Sequence, residues 1–145
     1  GAVFAVGQND RAAAIILRSG ERAWEIDAGG INTPLVAGNA VFMITNARQL
    51  LALQRDTGKI VWVRDLPRLT DPEDKDSDAI VWTGPVLAGG RLLAVSSHAR
   101  LAEFSVLDGK DIAEHGLSDP SLIAPVVAGG ALYVVTEDGD LAAFR

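Results

Sequence analysis

The chain has 145 residues, 48% of them apolar and 22% charged, which suits one folded domain and excludes bulk disorder. Cysteine is absent, so disulfides, thiolate metal sites, iron–sulfur clusters and thiol catalysis are excluded. A net charge of −6 argues against a phosphate-binding surface, and so against nucleic acid as a partner. No apolar run is long enough to cross a membrane as a helix, and no basic-then-apolar leader opens the chain.

In chain order, Ala2-Val3-Phe4 opens a first strand. Residues 11–17 are Ala-rich, but they align with 49–55 and are predicted as strand rather than helix. Ser19-Gly20 marks a tight turn before a strand that carries Trp24. Leu35–Ala37 is a short strand, Gly38-Asn39 a turn, and residues 40–45 an apolar, β-branched strand. After a turn at 46–49, residues 50–54 form a third strand. Asp56-Thr57-Gly58-Lys59 turns the chain into residues 60–64, the strand of Trp62. The next copy repeats this turn as Asp108-Gly109, and the last predicted strand is Leu141–Phe144.

These elements are copies of one unit. Thr33-Pro34-Leu35-Val36-Ala37-Gly38, Gly84-Pro85-Val86-Leu87-Ala88-Gly89 and Ala124-Pro125-Val126-Val127-Ala128-Gly129 share a pattern of Pro, two apolar residues, Ala and Gly. The prolines lie 51 and then 40 residues apart, the longer interval holding an acidic insertion. A unit of about 40 residues with four short strands is the size of a propeller blade. The expected fold is all-β, a β-propeller of four-stranded antiparallel blades. About 3.6 blades are present, in units of about 1–32, 33–82, 83–122 and 123–145. Some fourteen strands are expected, grouped three, four, four and three. The first unit starts at its second strand and the last stops after its third. Such open blades are expected to belong to a larger ring. Left alone, their unpaired edges are expected to drive self-association into a homodimer, with closure of a small four-bladed ring as the competing outcome.

Ser19-Gly20-Glu21-Arg22-Ala23-Trp24 and Thr57-Gly58-Lys59-Ile60-Val61-Trp62 resemble the T-G-x-x-x-W signature of quinoprotein-type (PQQ-like) propeller repeats. The whole chain is similar to the C-terminal half of the BamB family of outer-membrane assembly lipoproteins. The stretches that carry this likeness are residues 2–10, the Pro-x-x-Ala-Gly-Gly repeats, the charged insertion before Trp82-Thr83-Gly84-Pro85-Val86, and the final Leu141-Ala142-Ala143-Phe144-Arg145. The resemblance implies an eight-bladed parent whose last blade is completed by a strand from the far N-terminus. It implies a lipid anchor upstream and a location on the periplasmic face of the outer membrane of a Gram-negative bacterium. The third copy departs from the pattern, with Ala113 in the tryptophan position, so that blade is expected to dock less firmly on its neighbour.

Candidate chemistry is sparse. Trp24 and Trp62 are expected to pack between blades, since an indole buries roughly 150–250 Å². The insertion carries Asp65, Asp71, Glu73, Asp74, Asp76 and Asp78 against Arg68 and Lys75. It suits a solvated loop or a docking surface for a basic partner. Trp82 stands in another register beside it and is a candidate for the same surface. Asp74, Asp76 and Asp78 have the spacing of a calcium loop, but Ala79 replaces the required Gly and Pro85 stands where the bidentate Glu should be. His98 and His115 have no partner at metal-ligand spacing, and no phosphate-cradling motif occurs. No catalytic, cofactor or metal residue is therefore assigned.

Two functions compete. The resemblance implies a non-enzymatic scaffold whose partner is the periplasmic part of the barrel-assembly protein BamA, bound through interblade loops (here 27–33, 65–83 and 114–121). The alternative is a fragment of a quinone-dependent dehydrogenase built on the same repeat. Those enzymes need a calcium-bound quinone, a catalytic Asp and often a vicinal Cys pair.

Overall fold

The computed structural model describes residues 1–145 and contains fourteen strands in four antiparallel sheets of three, four, four and three. The first sheet holds β1 (Ala2–Gly7), β2 (Arg11–Ile16) and β3 (Arg22–Ile26). The second holds β4 (Leu35–Ala37), β5 (Ala40–Ile44), β6 (Gln49–Gln54) and β7 (Ile60–Asp65). The third holds β8 (Trp82–Ala88), β9 (Arg91–Ser96), β10 (Arg100–Ser105) and β11 (Asp111–Gly116). The fourth holds β12 (Val126–Ala128), β13 (Ala131–Val135) and β14 (Leu141–Phe144). Within every sheet, spatial order follows chain order, as in the blades of a propeller. Residues 11–16 are strand, as their alignment with the second copy predicts, because cross-strand pairing with β1 and β3 overrides the helix propensity of alanine.

Burial explains the composition of the middle strands. Val41, Phe42, Met43 and Ile44 are all buried, because β5 has a blade on each side. Val41 and Met43 join Ala12, Ala14 and Trp24 of the first blade, along with Leu51 and Leu53. Phe42 and Ile44 face the other way, into a cluster with Leu92, Ala94, Ala102 and Phe104 of the third blade. A two-residue period that is apolar on both faces becomes a continuous apolar run. A third cluster, Leu93, Val95, Leu101, Leu132 and Val134, joins the third blade to the fourth.

The outer hairpins repeat one device. The pairing of the third strand with the fourth shifts register after Ala14, after Ala52 and after Glu103, the same point in three blades. Beyond two of these bulges lie Gly58 and Gly109, both at φ +70°. At each a Cβ would come within 2.6 Å of a tryptophan ring of the preceding blade, Trp24 or Trp62. Glycine is required there for the backbone angle and for the close approach.

The opposite hairpins are less well served. Asp10, Arg48 and Ala99 occupy equivalent turn positions at φ 55°, 57° and 52°. Asp tolerates this region, but alanine pays for its Cβ. Ala99→Gly is expected to raise stability by roughly 0.5–1 kcal/mol, the relief of left-handed strain exceeding the entropy gained by the unfolded chain. Urea denaturation measures the change, and a loss of stability would show that Ala99 is unstrained.

Candidate functional site: the interblade-loop face

Three long connections carry the chain from the outer strand of one blade to the inner strand of the next. Each is laid across the turns that link second and third strands, and the same bonds recur. Asn46 N–H donates to Gly29 O, Ser97 N–H to Val81 O and Glu137 N–H to Pro120 O, at 2.8–2.9 Å. Leu66 N–H donates to Arg48 O and Leu117 N–H to Ala99 O, both at 2.9 Å, so the left-handed turn residues present their carbonyls to the departing loop. Side chains add further ties. Asn46 Nδ2 donates to Gln8 O and Asp10 Oδ1, and Arg48 Nε to Ile80 O. Asn32 Nδ2 donates to Trp82 O at 3.0 Å. Loop backbone that is hydrogen-bonded in this way is a stiff platform rather than a fringe.

The insertion rises from this platform. Leu66 and Ile80 are buried at its two ends. Leu69 bridges to Ala79, and Thr70 N–H donates to Asp78 O at 2.9 Å, so the segment leaves and returns as a narrow hairpin. Asp71 accepts from Glu73 N–H, Asp74 from Asp76 N–H, and Ser77 Oγ donates to the carbonyls of Asp71 and Asp74. Two of the acids therefore hold local turns. Asp71, Glu73, Asp74, Asp76 and Asp78 are all exposed and do not converge with other acids or His into a metal-sized cluster. Asp65 accepts from Gln49 Nε2 at 2.9 Å, and Arg68 is exposed, its carbonyl accepting from Ile80 N–H.

Trp82 corrects the sequence reading. It is the first residue of the inner strand β8 and only 5% exposed, in the core with Phe104, Leu66 and Ile80. Its Nε1–H donates to Pro67 O at 2.9 Å. It therefore supports the insertion from beneath and has no surface to offer a partner. Replacing the exposed tip, residues 71–78, by Asn-Gly is then expected to cost roughly 1 kcal/mol or less and to shift Tm by a few degrees. Failure to fold would show that the tip is structural.

Other acids stand on the same end of the blades. In the last hairpin, Asp138 accepts from the Thr136 hydroxyl and from Asp140 N–H, and these bonds hold its carboxyl below the usual range. Exposed apolar residues lie among the loops as well: Ile31, Val81, Leu122 and Ile123. A cleft of about 610 Å³ opens between the starts of β4 and β8, lined by Ile31, Pro34, Val81, Pro85 and Leu122.

The family model described as "Outer membrane protein assembly factor BamB" matches residues 1–64 and 68–145. The chain belongs to the BamB family. BamB of Escherichia coli (strain K12) is 30% identical over 142 residues, which is 96% of this chain and 33% of that protein. The chain thus spans about a third of the length of that relative. The crystal structure of BamB from Moraxella catarrhalis superposes with a TM-score of 0.73 at 19% identity, covering 99% of this chain and 42% of that one. Quinohemoprotein alcohol dehydrogenase from Comamonas testosteroni superposes with a TM-score of 0.63 at 17% identity, covering 80% of this chain and 19% of the enzyme. Both structural likenesses are of fold alone, and the family rests on the sequence matches. The PQQ-like repeat inferred from the two T-G-x-x-x-W stretches is therefore a BamB repeat, and the four sheets are BamB propeller blades.

Proposed function

We propose that this segment is the partner-docking part of a non-catalytic scaffold for outer-membrane β-barrel assembly, held at the periplasmic face of the outer membrane. Membership of the BamB family supports the process. The observation that carries the mechanism is the insertion, a charged and exposed hairpin seated on buried Leu66, Ile80 and Trp82. A rigid frame that lifts exposed acids above hydrogen-bonded loops suits recognition of a basic protein surface, with charge setting the encounter rate and specificity. The partner implied by the family resemblance is the periplasmic part of BamA.

The test uses the full-length protein and the purified periplasmic domains of BamA. Neutralising Asp71, Glu73, Asp74, Asp76 and Asp78 together, as Asn or Gln, is expected to weaken binding about tenfold or more and to flatten its salt dependence. An unchanged Kd would remove the insertion from the docking surface. The dehydrogenase reading is tested by adding pyrroloquinoline quinone with calcium. A saturable, calcium-dependent rise in Tm would favour an enzyme, and no rise is expected.

A further inference from the structure

The row of residues that docks one blade on the next runs across three strands. It reads Phe4, Ala14, Trp24 in the first blade and Phe42, Ala52, Trp62 in the second. The rings meet with the same geometry in both, 5.9 and 6.0 Å between centroids at 40°. In the third blade the row reads Leu93, Glu103, Ala113. Charge stands where the indole is missing. The Glu103 side chain is 8% exposed, is paired with Arg91, and has an oxygen 2.8 Å from His115 Nε2. An ionised carboxylate can only accept, so His115 Nε2 carries the proton of that bond.

The cluster faces the fourth blade. The His115 ring is 5.9 Å from that of Phe144. A cavity of about 510 Å³ lies between Arg91, Glu103 and His115 on one side and Ala131, Leu132 and Phe144 on the other. We propose that this seam, whose apolar contacts border a buried Glu103 carboxylate compensated from within its own blade by Arg91 and His115, is sensitive to salt and opens locally before the two tryptophan-docked seams. The side chains of Arg91 and His115 are 45% and 42% exposed, so dissolved ions reach both partners of the buried carboxylate. Aromatic docking has no such sensitivity. Once the pair is loosened, Glu103 is a poorly compensated charge facing Leu132, Phe144 and Arg145 across the cavity, and its desolvation in the closed seam favours separation of the blades. The fourth blade carries Glu137, Asp138 and Asp140 on the interblade-loop face, so opening this joint moves that part of the face relative to the rest.

Amide hydrogen exchange on the full-length protein tests the joint at about 0.05 M and about 0.5 M NaCl. The amides of β13 are expected to lose protection about tenfold at the higher salt, while those of β5 change less than about twofold. E103Q keeps the shape and removes the buried charge, so the protection of β13 should become independent of salt. L93F/E103A/A113W rebuilds the aromatic row and should make β13 slow and salt-independent. Salt-insensitive exchange of β13 in the unaltered protein would overturn the proposal, whether or not the variants fold. So would an E103Q protein whose β13 exchange keeps the parent's salt dependence, or a salt effect equal in β5 and β13.

Discussion

Trp62→Ala is expected to lower stability by about 3 kcal/mol, because it empties the seam between the second and third blades. The indole lies over the backbone of Gly109, where a Cβ would meet its Cζ3 at 2.6 Å, and its Nε1–H donates to Val106 O at 3.1 Å. Its neighbour Phe42 would lose an aromatic partner. The loss is therefore packing plus one hydrogen bond across blades. The same contact makes Gly109→Ala costly in the unaltered protein, since the new methyl collides with the ring and φ is +70°. In a Trp62→Ala background the collision with the ring is gone, leaving the backbone strain, roughly 1–2 kcal/mol, and a tight contact with Arg64 Cβ at 3.2 Å. A double-mutant cycle by urea denaturation should give a coupling of about 1 kcal/mol or more. Additive effects would mean that the ring does not dock on that turn.

The parts of this fold that were legible in the sequence are those that the repeat states more than once. Leu35–Ala37 and Leu141–Phe144 are strands with the bounds that the repeat predicts. The hairpin turns fall at Gly58 and Gly109 because only glycine suits both the angle and the facing ring. The weakness expected of the third blade from Ala113 was only half of its difference. Aligning the third strands places Glu103 where Ala14 and Ala52 stand, and that signal was available in the repeat. Its partners were not. Arg91 and His115 are each twelve residues from Glu103, on strands to either side, and only register brings the three together. Trp82 was misjudged for a related reason. It lies outside the repeat pattern, where no sibling copy shows which way a side chain points. The inner strand β8 has seven residues where β4 and β12 have three, and the extra length takes Trp82 into the core.

Trp82→Ala is expected to cost about 4 kcal/mol, several times the cost of removing the whole exposed tip that it supports. The comparison separates two origins of stability within one excursion of the chain. Residues 71–78 are solvated, and their hydrogen bonds are exchanged for water on deletion. Trp82 is buried with Leu66 and Ile80 at the base, so truncation leaves a cavity that these neighbours cannot fill without moving the loop. Pro67 O loses its donor at the same time, which frees the first residues of the insertion. Trp82→Phe retains most of the packing and deletes only this hydrogen bond, so it should cost about 1–2 kcal/mol. The docking role then makes a second demand on the same variant. If the tip binds its partner as a preorganised hairpin, Trp82→Phe should weaken binding although residue 82 touches no partner, because the ordering lost at Pro67 must be restored on association. Binding by Trp82→Phe equal to that of the unaltered protein, with stability reduced as expected, would show that the insertion is recognised without its anchored base.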